Sequence, residues 1–242
     1  MLQYLCRNTT KKRIMKQVTK LFALAILLGS VTSGWAQEYK THEVPNAPAF
    51  SAIDVSGGDV NVYFSQGATH AFAISGPAKL VKATKIKVKD NTLFIEYNEP
   101  FFTGDDNDVT VRVTAPQLVR VHVAGEADFE SKTPFQGQEL TIKTRQNGEA
   151  SMKNVSVSDV TLDAKGSSSI DIDYINANKI RVSSLDRAEV ELSGSTGLFE
   201  VVKKGMFAEI DTKKLIATQT GVGGNGVAGQ VTKTDGSVEF NF

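Results

Sequence analysis

The chain has 242 residues, of which 27 are Lys or Arg and 27 are Asp or Glu, and it is 40% hydrophobic and 22% charged. Such an average composition excludes a disordered, fibrous or multi-span membrane protein. Apart from six positive charges near the start, no block of like charge stands out, so nothing points to a nucleic-acid surface.

The first 36 residues read as an export signal. Lys11-Lys12-Arg13, Lys16 and Lys20 precede the apolar run Leu21-Phe22-Ala23-Leu24-Ala25-Ile26-Leu27-Leu28, and small residues lead to Gly34-Trp35-Ala36. A basic start, an apolar run below the ~17–25 residues of a membrane span, and small residues two apart are the three parts of a secretory signal, cleaved before Gln37, with an uncleaved membrane anchor as the alternative. Initiation at Met15 would leave these parts intact. The leader holds six of the 27 basic residues and no acid, so the mature chain has 21 bases against 27 acids, a net charge near −6. It also holds the only cysteine, Cys6, and the only tryptophan, Trp35. Disulfides, thiolate metal sites and cysteine nucleophiles are thereby excluded from the mature protein.

Residues 37–118 read as an N-terminal β region with the first coils of a repeat. Extended segments such as Val60, Val62, Phe64 and Val109, Val111, Val113 alternate, and turn signals separate them. Asp90-Asn91 between Ile86-Lys87-Val88 and Leu93-Phe94-Ile95 predicts a hairpin. From residue 119 to 230 a repeat takes over. Val119 and Val121, Leu140 and Ile142, Val160 and Leu162, Ile180 and Val182, Phe199 and Val201 recur at steps close to 20. A second series follows each pair: Ile170 and Ile172, Val190 and Leu192, then Ile210, with Phe129 and Met152 as looser members. Gly125, Gly148, Gly166 and Gly205 fall between the series.

Two short strands and a small corner residue per ~20 residues describe one coil of a parallel β-solenoid, whose coils bury their apolar side only by stacking. The predicted fold is therefore all-β, a right-handed parallel β-helix with ~20-residue coils and irregular or antiparallel β covers at the ends. An antiparallel β-sandwich is the alternative. Residues 231–242, with an Asp235-Gly236 turn, form the expected C-terminal cover.

The corners carry a resemblance. Ser56-Gly57-Gly58-Asp59-Val60, Gly125-Glu126-Ala127-Asp128-Phe129, Gly148-Glu149-Ala150-Ser151-Met152, Gly166-Ser167-Ser168-Ser169-Ile170 and Gly221-Val222-Gly223-Gly224-Asn225-Gly226-Val227 resemble the Gly-Ser-Gly-Asp repeats of the head GIN domain family of auto-transporter adhesins. The likeness runs from about Phe50 to Gln230. Asp186-Arg187-Ala188-Glu189 and Gly205-Met206-Phe207-Ala208-Glu209 depart from it. The resemblance implies a β-helical protein exported to the periplasm, cell surface or medium of a Gram-negative bacterium, and it brings no catalytic residues.

Gly221, Gly223 and Gly226 match a Gly-x-Gly-x-x-Gly spacing, but no helical pattern follows, so tight turning is expected rather than a dinucleotide site. Histidines 42, 70 and 122 lack ligand spacing, and no cofactor is expected. One constellation is better motivated. If Ile170, Ile172, Val190, Leu192 and Ile210 point inward, their neighbours point outward, giving one face with Asp171, Asp173, Glu189, Glu191, Glu209 and Asp211. Asp171, Glu191 and Asp211 would form a column with neighbours ~5 Å apart, each like-charge pair costing about 0.8 kcal/mol in water. A weak calcium or basic-ligand site is one reading. A solvated face neutralised by salt, Lys153 and Lys213 is the favoured one, because flat stacks rarely wrap the 6–8 oxygens calcium prefers. The other outward face carries Lys143, Arg145, Asp163, Lys165, Arg181 and Lys204, without repeated aromatic platforms for a sugar.

The expected function is that of a non-catalytic, exported, adhesin-like module that binds a cell-surface, glycan or protein ligand or serves structurally. No nucleic acid and no membrane span after signal cleavage are expected, and a homo-oligomer is left open. A carbohydrate-active enzyme on a parallel β-helix is the alternative, with Asp171 and Glu191 as its paired acids. The coils from 140 to 219 show almost no insertions that could wall a cleft.

Overall fold

The computed structural model describes residues 38–97, 108–222, 231–234 and 237–240. The leader and its cleavage site, Gly223 and Gly226 of the glycine motif, the Asp235-Gly236 turn and the Lys213 side chain lie outside what is described. Residues from Tyr39 onward form a unit of their own.

This unit is a parallel β-solenoid. Its strands are β1 (Tyr39–Val44), β2 (Ala52–Gly57), β3 (Val60–Gln66), β4 (Ala71–Pro77), β5 (Thr84–Lys89), β6 (Thr92–Tyr97), β7 (Val109–Ala115), β8 (Arg120–Gly125), β9 (Asp128–Ser131) and β10 (Phe135–Gln136). β11 (Glu139–Gln146) leads into four long strands that bend around the coil: β12 (Glu149–Gly166), β13 (Ser169–Asp186), β14 (Glu189–Lys204) and β15 (Glu209–Val222). A hairpin of β16 (Val231–Thr234) and β17 (Ser237–Phe240) follows. One short helix, α1 (Ala78–Ala83), joins β4 to β5 and buries Leu80 and Val81.

The ladders follow the 20-residue step. On the first face Leu93, Ile53, Val121, Ile142, Leu162, Val182 and Val201 stack in register, all buried. On the second face Val111, Val62, Phe129, Ala150, Ile170, Val190 and Ile210 stack likewise, all buried but the half-buried Ile210 at the end. Phe129 is followed by Ala150, so a large ring is accommodated by a small neighbour, as close packing demands. Each buried Leu, Ile or Val contributes roughly 1.5–3 kcal/mol, and the column makes the coils interdependent.

Three features differ from the sequence reading. From β8 onward the coils have three sides, not two: Phe135, Val155, Ile175, Gly194 and Leu215 form a third column. Alongside it run Val157, Ala177, Thr196 and Ala217, and this fading of large apolar residues hides the series. At the first pair it is Leu118 that is fully buried, while Val119 is only half-buried and its N–H donates to the Ser51 carbonyl (2.8 Å) as the chain enters β8. Gly148 is not the counterpart of Gly125 and Gly166. The register aligns Gln146 with both, and Gln146 takes up the positive φ (61°) that Gly125 (86°) and Gly166 (99°) show. Gly148 instead occupies the small-residue corner with Ala127, Ser168 and Ala188, where a Cβ would meet the Val123 carbonyl at 2.9 Å. Gly205 likewise has no positive φ, whereas the departing Asp186 does (64°).

The N-terminal coils stack out of chain order. β2 lies between β6 and β8, and β3 between β7 and β9, so β6 and β7 sit outside the coil that precedes them in the chain. Beyond it the pairing turns antiparallel: β5 on β6, β4 on β7, and β1 on β4. The predicted Asp90-Asn91 hairpin is β5–β6, with both turn residues at positive φ, as a two-residue type I′ loop requires.

Candidate functional site

The register brings the six acids onto one face. Asp171 pairs with Glu191 and Glu191 with Asp211, and Glu189 pairs with Glu209. Asp173 lies beside Lys153 of the preceding coil and accepts a hydrogen bond from the Ser193 hydroxyl (3.3 Å). A bulge between Glu191 and Ser193 shifts the last coil, so that Lys214 stands opposite Ser193. Lys214, with Asp171, Asp173, Glu191, Leu192, Ser193 and Asp211, lines a shallow cavity of about 100 Å³.

The electrostatics follow from crowding. The Asp171 carboxyl is pushed above the usual carboxylate range by partial burial, then by Asp173 and Glu191, with Lys153 and Lys214 pulling the other way. Glu189 is raised by burial and by Glu191 and Glu209. The acidic strip also extends further than the sequence reading carried it. Asp128 pairs with Glu149, in the same ladder as Glu189 and Glu209. Its carboxyl rises to about 6, first through loss of hydration and then through Glu149, Asp108 and Asp59. The hidden signal was the corner motif itself, which ends in an acid at Asp59 and Asp128.

Among the described residues no group of three or more His, Cys, Asp or Glu is arranged to hold a metal ion. His122 pairs with Asp54 (Nδ1 to Oδ2, 3.1 Å) and His70 with the Phe50 carbonyl (3.0 Å), while His42 is exposed on β1. On the first face the charges pair across coils: Arg145 with Asp163 at 2.7 Å, and Lys179 and Arg181 with Glu200 at 3.1 and 3.6 Å. Among the described residues no helix is long and apolar enough to cross a membrane.

Comparison with known proteins agrees with this architecture. Solved structures similar to the chain include a "putative adhesin" from Parabacteroides merdae (TM-score 0.67, 20% identity, 77% of this chain and 78% of that one). Another is a "putative adhesin" from Parabacteroides distasonis (TM-score 0.68, 18% identity, the same two shares). A third, from the same species, is described as a "putative lipid binding protein" (TM-score 0.65, 16% identity, again 77% and 78%). At these identities the likeness is one of fold. A search of the curated proteins finds no match. The family described as "Putative auto-transporter adhesin, head GIN domain" matches residues 49–235, and with that span of the solenoid covered the chain belongs to it.

Proposed function

We propose that the protein is a non-catalytic, exported module of the cell envelope that engages a partner through the flat faces of its coils. The observation that carries this reading is the absence of walls: from Glu139 to Val222 successive strands are joined at short corners without inserted loops. A flat ladder suits an extended macromolecular surface, whereas small-molecule chemistry needs a concave, dehydrated site. The acidic strip of Asp171, Glu189, Glu191, Glu209 and Asp211 is the surface that a basic partner would meet, and complementary charge there would set encounter rate and orientation. Family membership supports the adhesin reading, and the basic start followed by Leu21–Leu28 supports export.

An array of glycans and matrix proteins probed with the purified protein tests the proposal. Saturable binding to one class, weakened by Glu191→Lys and by raised salt, is the expected result. A glycan-degradation screen run beside it would overturn the reading if turnover appeared and were lost in Asp171→Asn.

A further inference from the structure

The N-terminal end of the solenoid carries a second feature that the flat faces do not share. Past the outermost coil, β4 and β1 prolong one sheet and β5 prolongs the other, and α1 bridges their base. Between them lies a cavity of about 460 Å³ lined by Val44, Phe72, Ile74, Ala78, Val81 and Ile86, with Lys40, His42, Lys82 and Thr84 completing its wall. Ile74 and Val81 are buried, Phe72 and Ile86 half-buried, and Lys40, His42 and Lys82 exposed. The floor is thus a continuation of the core and the rim is cationic. Lys82 forms no ion pair among the described residues.

We propose that this groove binds a free fatty acid, with the acyl chain between β4 and β5 and the carboxylate at the Lys82 rim. The volume lies within the ~300–1,000 Å³ range of small-molecule sites, which pair an apolar lining with a few polar groups that fix orientation. An anionic head is selected because the groove's charged rim residues are lysines. A two-fold pairing of the chain over this groove would bring two Lys82-bearing rims together, so self-association through this end is disfavoured. The groove would take its ligand whether or not the flat faces engage a partner.

The test is displacement of a fluorescent fatty acid from the purified protein by decanoate, dodecanoate and tetradecanoate, each below its micellar concentration. Affinity should be saturable at one site and rise about fourfold per added methylene until the groove is full. Methyl dodecanoate should bind more weakly than dodecanoate. Lys82→Glu should lower affinity for the acid roughly tenfold while leaving the ester and the melting temperature unchanged. Phe72→Asp should abolish both; if that variant does not fold, Lys82→Glu still decides. Absence of saturable binding, as a groove filled by the protein's own chain would give, overturns the proposal. So does equal affinity of wild type and Lys82→Glu for the acid, binding only to phosphatidylglycerol vesicles, or concentration-dependent self-association that blocks the groove.

Discussion

Leu162 and Val182 face each other across adjacent coils, both shut off from water, while Thr161, one residue earlier, lies on the outer side of the same strand, opposite Arg181. Alternation along β12 alone decides which of these neighbours carries the fold. Leu162→Asp or Val182→Asp would bury a charge without a partner and should cost several kcal/mol. Thr161→Asp, beside Arg181, should stay within about 0.5 kcal/mol of wild type. Equal melting temperatures for Leu162→Asp and Thr161→Asp would reject the register.

The corner column makes a sharper distinction. A Cβ on Gly125 would lie 2.1 Å from the Gly57 carbonyl oxygen, at a φ of +86°, so Gly125→Ala forces the two coils apart and should destabilise strongly. Asp186 holds φ +64° at the equivalent corner with its side chain exposed. Asp186→Gly should therefore be neutral or stabilising by about 1 kcal/mol, because glycine enters the left-handed region without the steric penalty. Chemical denaturation of the two variants checks both signs.

The contrast between these corners also marks what the sequence could disclose. Period, inward residues and the Asp171–Glu191–Asp211 column were legible because each is set by alternation and a constant step. Gly148 was misassigned because a glycine needed for room reads the same as one needed for φ, while Gln146 and Asp186 adopt positive φ without a glycine to announce it. The third side of the coil escaped because Gly194, Thr196 and Ala217 interrupt its apolar series. Lys214 went unnamed because a bulge shifts the last coil to set it opposite Ser193, and a bulge leaves no trace in spacing. The groove lysines, Lys40 and Lys82, were passed over because they are far apart in sequence and come to one cavity only when β1 and α1 close the solenoid end.

Export can be checked directly. The Gly34-x-Ala36 site predicts that the exported protein begins at Gln37. N-terminal sequencing of protein recovered outside the cytoplasm should read Gln37-Glu38-Tyr39, and a sequence starting at Met1 or Met15 would contradict it.

The acidic strip also fixes a pH dependence. A carboxyl whose pKa is higher in the folded than in the unfolded protein holds its proton more firmly when folded. The fold is then favoured below the unfolded value, and that contribution is lost as pH rises through the folded one. For Asp128 this window runs from 3.8 to about 6, and Asp171 and Glu189 shift in the same direction. Melting temperature at fixed ionic strength should therefore rise on going from about pH 7 to about pH 5. In Asp128→Asn that rise should shrink. An unchanged pH profile in Asp128→Asn would remove Asp128 as a source of the effect.

The response to cations separates screening from binding on the same face. Asp171, Glu191 and Asp211 are stacked in one column with Lys153 and Lys214 as the nearby cations, so repulsion is partly offset but not cancelled. Added salt should raise the melting temperature, with sodium or magnesium matching calcium at equal ionic strength, because screening depends on charge density and not on ion identity. Glu191→Gln should be slightly stabilising and should flatten the salt response, since it removes the middle charge of the column. A specific calcium site would instead add stability that saturates with calcium at constant ionic strength, as ligand binding to the folded state alone requires. The strip offers carboxylates from a flat ladder where calcium prefers 6–8 enclosing oxygens, and for that reason screening is the expected outcome. A saturable, calcium-selective rise that vanished in Glu191→Gln would reverse it and make the column a binding site.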